Sequence, residues 1–124
     1  MTASTILVID DHGGFRATAR RMLERDGWTV VGEAADGRTG LAAVAELAPD
    51  VVLLDIGLPD IDGFDVAERL ASAGTSDAPS VVLISSRDRS DYGDRLPRSR
   101  AAGFLSKDEL DGPTLRSLVT RAVR

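Results

Sequence analysis

The sequence predicts an α/β fold, a doubly wound five-stranded parallel sheet with helices on both faces. Three observations predict it. Short apolar runs rich in β-branched residues alternate five times with stretches of helical periodicity. The most apolar of these runs are unbroken, as strands buried on both faces require. Turn and capping residues mark the junctions between the two kinds of segment. At 124 residues the chain is expected to form one domain, 1–124.

Thr5-Ile6-Leu7-Val8-Ile9 reads as the first buried strand and runs into Asp10-Asp11. Phe15, Ala19, Met22 and Leu23 then recur at helical spacing, with Gly27 as a stop. Trp28 to Glu33 is a shorter, more mixed strand. Asp36 can cap a second helix carrying Leu41, Val44 and Ala48, which Pro49 ends. Val51-Val52-Leu53-Leu54 is the third strand and leads straight into Asp55, after which Gly57, Pro59 and Gly63 punctuate a loop. Asp62 can cap a third helix that turns Phe64, Ala67, Leu70 and Ala71 inward, with Gly74 beyond its end.

Ser80 to Ser85 is another doubly buried strand. From Ser86 to Ala102 the helical signal is poor. Eight charged residues, Gly93 and Pro97 leave only Tyr92 and Leu96 as large apolar residues, which predicts a short or broken helix with a solvated face. Gly103-Phe104-Leu105-Ser106 is a short strand followed by Lys107. Pro113 suits the first turn of a last helix with the stripe Leu115, Leu118, Val119 and Ala122. The first, third and fourth strands are the most apolar, so they belong inside the sheet and the other two at its edges. With right-handed crossovers this gives the order 2-1-3-4-5, the flavodoxin-like arrangement.

Composition narrows the function. The net charge of -5 argues against nucleic-acid binding by this domain alone. No apolar run is long enough for a membrane span, and the start Met1-Thr2-Ala3-Ser4 lacks a basic signal region. The absence of cysteine excludes disulfides and thiolate metal sites and points to a cytoplasmic location. Fourteen of the fifteen basic residues are arginine, and Lys107 is the one lysine.

In the expected strand order, Asp10-Asp11, Asp55, Ser85 and Lys107 all stand at strand ends on one rim, where open α/β sheets place their ligand chemistry. Adjacent strands lie about 4.8 Å apart. Three carboxylates crowded there repel one another unless a cation intervenes, and an oxygen-rich set of this kind fits magnesium. Asp55 is the candidate nucleophile towards phosphorus. The ion, the Ser85 hydroxyl and the Lys107 ammonium would each serve one oxygen of a transferring phosphoryl group. His12, the only histidine, reads as a surface residue at a helix start.

These residues are where the chain resembles the receiver domain of two-component response regulators, over essentially its whole length. The matching motifs are Asp10-Asp11, Asp55 before Gly57-Leu58-Pro59, Asp62-Gly63, Ser85 and Lys107. The resemblance implies that Asp55 takes a phosphoryl group from the phosphohistidine of a histidine kinase. It also implies that Asp10, Asp11, Asp55 and the Gly57 carbonyl hold magnesium. A homodimer formed on phosphorylation, and a helix-turn-helix output domain in a longer native chain, are further implications. Three features depart from the family pattern: Asp108 stands where proline usually follows the lysine, Phe104 has no hydroxyl at the aromatic switch position, and the fourth helix is poor. All three fall on the face that signals in the family, where the Ser86–Phe104 region is expected to switch.

Three rival readings stand beside this one, the first on the same rim. A magnesium-dependent phosphohydrolase would want its nucleophile and acid one residue apart, whereas Asp10 and Asp11 are adjacent. A nucleotide or flavin binder would want more than the Gly13-Gly14 pair, which is not a G-x-G-x-x-G fingerprint. A receiver-like module that is not phosphorylated and works by binding alone is the alternative; the intact acceptor set argues against it, and Asp108 and Phe104 keep it open.

Overall fold

The computed structural model describes residues 4–72 and 78–122. The first apolar run forms β1 (Thr5–Ile9), and the stripe after it forms α1 (Gly13–Arg25). β2 (Thr29–Ala34), α2 (Gly37–Leu47), β3 (Val51–Asp55) and α3 (Gly63–Ala71) follow. β4 (Ser80–Ser85) precedes a 3-10 turn (Arg89–Asp91) and the single-turn α4 (Arg95–Arg98). β5 (Gly103–Ser106), a second 3-10 turn (Lys107–Glu109) and α5 (Gly112–Ala122) complete the order. Trp28, expected inside the second strand, lies just before it and is buried. Gly74 and the side chain of Ala122 lie outside the described residues.

The five strands form one parallel sheet in the order β2-β1-β3-β4-β5, as the apolarity ranking predicts. Alternate side chains of the inner strands feed two cores. Ile6, Val8, Val51, Leu53, Val82 and Ile84 pack with Ala19 and Leu23 of α1 and Leu115 of α5. Leu7, Ile9, Val52, Leu54, Val81 and Leu83 pack with Phe64, Val66, Ala67 and Leu70 of α3. Partly buried Leu41 and Val44 of α2 and Leu96 of α4 join the second core. Val66, absent from the inward stripe read from the sequence, is fully buried.

Local chemistry sets where the helices begin and end. Asp36 Oδ1 accepts from the Thr39 amide at 2.8 Å, the expected cap of α2. Asp60 adds a cap from a distant loop, accepting from the Gly37 and Arg38 amides at 2.7 and 3.0 Å. Those amides, Arg38 first, hold the Asp60 carboxyl below the usual carboxylate range. Asp62 Oδ1 caps α3 through the Phe64 amide at 2.7 Å. Gly27 has φ 95°, a conformation that lets the chain leave α1 sharply. The poor fourth helix is real: charged residues and Pro97 leave one helical turn between Asp94 and Ser99.

Gly63 fixes how closely α3 approaches β3. Its amide donates to the Ile56 carbonyl at 2.9 Å. A Cβ here would lie 2.6 Å from the Asp55 carbonyl oxygen and 2.6 Å from Ile56 Cα, both backbone atoms. Gly63→Ala is therefore expected to destabilise the protein by about 3 kcal/mol in a urea melt, the upper end for overpacking. A loss within error would show that α3 can slide away from the sheet.

Candidate functional site

Parallel pairing brings four strand ends to one rim. β1 runs out at Asp10, β3 at Asp55, β4 at Ser85 and β5 just before Lys107. Asp55 pairs in register with Ile84, the residue before Ser85, and Ser85 pairs with Ser106, the residue before Lys107. Asp10, Asp55 and Ser85 are the buried polar side chains among the described residues. Burying charge or polarity at strand ends is unfavourable unless partners compensate.

The acids converge as expected. Asp10, Asp11, His12 and Asp55 each offer a ligand atom within 4.8 Å of the others. The Lys107 ammonium lies 2.8 Å from Asp10 Oδ2 and 3.9 Å from Asp55 Oδ2. It also sits 4.5 Å from the centre of the Phe15 ring, whose face it uses as a second, weaker partner. Gly57 donates its amide to Asp55 Oδ1 at 3.2 Å.

His12 keeps its expected place at the exposed start of α1, yet its ring turns onto the acids. Nδ1 lies 3.0 Å from Asp10 Oδ1 and 3.2 Å from Asp11 Oδ1. Its distance to Lys107 Nζ is 3.4 Å. The His12 amide also donates to Asp10 Oδ1 at 2.8 Å.

Ser85 reaches the rim, but its hydroxyl is already engaged. Oγ accepts from the Arg87 amide at 2.9 Å and lies 2.5 Å from the Tyr92 hydroxyl. Phe104 points into the second core, and Arg89 covers its ring while donating to its carbonyl oxygen at 3.3 Å. Asp108 lies within a 3-10 turn that Ser106 and Glu109 close by a reciprocal capping box. A cavity of about 430 Å³ lies between α4 and β5, lined by Leu83, Leu96, Pro97, Ala101 and Phe104 among others, and none of its lining residues belongs to the acidic rim.

Burial pushes the Asp55 carboxyl above the usual carboxylate range, and the neighbouring Asp10 charge adds to the rise. Lys107 and the Gly57 amide oppose it without cancelling it. The metal-free protein thus holds stability from protonated Asp55 at low pH and loses it as the pH rises through the raised value. Asp55→Asn has no such loss. In EDTA it is expected to melt a few degrees above the parent at pH 7, and the gap should shrink towards pH 4. A variant less stable than the parent at pH 7 would contradict this.

The site also passes a test for a cation. Asp10 Oδ2 is buried and has no hydrogen-bond partner, its charge being met only by the Lys107 ammonium 2.8 Å away. A buried carboxylate oxygen without a hydrogen bond, beside two further carboxylates, suits a hard divalent ion with oxygen ligands.

Comparison with known proteins agrees with this geometry. The family model described as the response regulator receiver domain matches residues 6–120. BvgA of Bordetella pertussis, whose name describes a positive transcription regulator of virulence factors, is 38% identical over 104 residues, 84% of this chain and 49% of its own. The response regulator GacA of Pseudomonas viridiflava is 36% identical over 103 residues, 82% of this chain and 47% of its own. The chain thus spans about half the length of these curated relatives. Among solved structures, the signal receiver domain of NarL from Mycobacterium tuberculosis superposes with a TM-score of 0.86 at 33% identity, covering 99% of this chain and 98% of that one. CheY4 of Vibrio cholerae shares the fold, with a TM-score of 0.81 at 23% identity over 98% of this chain and 99% of its own. With its matched residues, strand order and acidic rim in agreement, the chain belongs to the response-regulator receiver domains of two-component systems.

Proposed function

We propose that this domain is a phosphoacceptor whose nucleophile is Asp55. A carboxylate oxygen of Asp55 attacks the phosphorus of a phosphohistidine on a sensor histidine kinase. The phosphorus–oxygen bond forms as the phosphorus–nitrogen bond breaks, and the departing imidazole takes up a proton. Asp10, Asp11, Asp55 and the Gly57 carbonyl would hold magnesium, which supplies charge neutralisation at the phosphoryl oxygens when bound. Lys107 would swing from Asp10 to a phosphoryl oxygen, and the Ser85 hydroxyl would donate to another. The single observation that carries this reading is the convergence of Asp55 with Asp10, Asp11 and the only lysine of the chain.

The domain is then a signalling module rather than an enzyme acting on a separate substrate, and a cytoplasmic location goes with a kinase donor. Its output is a shift of the Ser86–Phe104 face, which joins the acceptor rim to a cavity and a poorly formed helix. Relatives about twice as long, one of them named a transcription regulator, support a role as the receiver portion of a longer regulator with a helix-turn-helix output domain. Dimerisation on phosphorylation is a natural means of coupling the two.

Incubation with acetyl phosphate and magnesium, followed by intact-mass measurement, tests the acceptor. The expected result is a gain of one phosphoryl group that EDTA prevents and Asp55→Asn abolishes. An unmodified parent protein would favour a module that works by binding alone. An adduct that persists in Asp55→Asn would assign the acceptor to another residue.

A further inference from the structure

Tyr92 is the only tyrosine in the chain, and it follows the 3-10 turn Arg89–Asp91 rather than a regular element. Its ring stands edge-on to Phe64, with centroids 5.7 Å apart, and 6.0 Å from the Phe104 ring. Its hydroxyl lies 2.5 Å from Ser85 Oγ, where either atom can be the donor. Nothing in the acceptor chemistry described above uses it.

Counting donors and acceptors shows what it does. A serine hydroxyl has one proton and two lone pairs. The Arg87 amide fills one lone pair of Ser85. One lone pair and one proton remain, to be divided between Tyr92 and whatever stands at Asp55. The oxygens of a phosphoryl dianion only accept hydrogen bonds, so they require the Ser85 proton. Tyr92 must then be the donor into the last lone pair. The opposite polarity, with Ser85 donating to Tyr92, leaves no proton for the phosphoryl group.

We propose that Tyr92 is a positioning residue for phosphoryl transfer: by donating its hydroxyl proton to Ser85 it fixes the polarity in which Ser85 donates to the phosphoryl oxygens on Asp55. This rests on the phosphoacceptor reading. No proton is transferred, and only the direction of two hydrogen bonds is set. Both directions are open to the free protein, and the phosphorylated one selects a single direction. A chain of donors running Tyr92 to Ser85 to phosphoryl oxygen strengthens each link. Phosphorylation would therefore hold Tyr92, and the irregular segment that carries it, more firmly between Phe64 and Phe104. Phe104 cannot take this part because it has no hydroxyl, so the coupling runs through a different element of the same face.

The lone tyrosine gives a clean readout. The intensity ratio of its Raman Fermi doublet distinguishes a phenol that donates from one that accepts. With magnesium and beryllofluoride as phosphoryl mimic, the doublet is expected to show the donor signature, and Ser85→Ala is expected to lose it. Tyr92→Phe keeps the ring and is expected to slow phosphorylation by acetyl phosphate about threefold to tenfold, the worth of one net hydrogen bond. In a Ser85→Ala background the same change should have no effect, whereas a role of the Tyr92 hydroxyl that does not run through Ser85 would slow both backgrounds alike. An acceptor signature while ¹⁹F NMR shows the mimic bound would overturn the proposal and leave the phosphoacceptor reading intact. So would an unchanged rate in Tyr92→Phe. No bound mimic in the parent protein would overturn both.

Discussion

Lys107→Met will destabilise the metal-free protein by about 3 kcal/mol, and magnesium will restore most of the loss. The expectation follows from Asp10, whose side chain is 0% exposed, while the Lys107 side chain, with its ammonium 2.8 Å away, is 15% exposed. Removing one partner of such a pair leaves a buried carboxylate without its counter-charge, a change worth about 3–5 kcal/mol. The lower end applies because the Lys107 side chain is partly exposed. Methionine keeps an unbranched apolar stem and removes the ammonium, together with its contact over the Phe15 ring, so the variant tests the charge rather than the bulk of the side chain. A divalent ion bound by Asp10, Asp11 and Asp55 would supply the missing charge, so the variant should gain more from magnesium than the parent does. Adding Asp10→Asn to the variant should also recover stability, by removing the stranded charge. Urea melts in EDTA and in magnesium check all three. A metal-free Lys107→Met as stable as the parent would show that Asp10 does not depend on the ammonium.

The rim was legible because it follows from backbone order alone. Once Ile6–Ile9, Val51–Leu54 and Val81–Ile84 are read as doubly buried parallel strands, the residues after them must meet. No knowledge of rotamers is needed to bring the strand ends that carry Asp10, Asp55 and Ser85 to one rim. Side-chain direction is another matter. His12 is correctly an exposed helix-start residue, but whether its ring faces water or the acids depends on a torsion that no sequence pattern encodes. Phe15 reads as core from its helical spacing, and its packing against the first core agrees, yet its ring also supports Lys107. Tyr92 is the instructive case. It lies in a stretch without periodicity, so only the path taken by the 3-10 turn and α4 can place its hydroxyl on Ser85. Asp60 likewise caps α2 across more than twenty residues of chain, and its loop sequence carries no sign of that partner.

Asp11→Ala will weaken magnesium binding by about 100-fold or more without destabilising the metal-free protein. Loss of an outer partner of a metal ligand already lowers affinity about 10–100-fold, so loss of a direct carboxylate ligand should exceed that. Asp11 is the most exposed of the three carboxylates, and its one ion pair among the described residues is with His12, 3.2 Å away. Its charge is one of the influences that raise the Asp55 carboxyl, so its removal relieves repulsion at the rim. Linkage turns the affinity loss into a stability readout. At a magnesium concentration near 100 times the parent dissociation constant, the parent gains about 2.7 kcal/mol, and a variant weakened 100-fold gains only about 0.4 kcal/mol. Lys107→Met and Asp11→Ala thus differ from the parent in opposite senses in how much magnesium stabilises them. The lysine variant is fragile in EDTA and strongly rescued by magnesium, whereas the aspartate variant is sound in EDTA and nearly indifferent to the ion. If Asp11→Ala retained the parent's stabilisation by magnesium, the ion would have to bind away from this acidic rim, and the acceptor mechanism would lose its counter-charge.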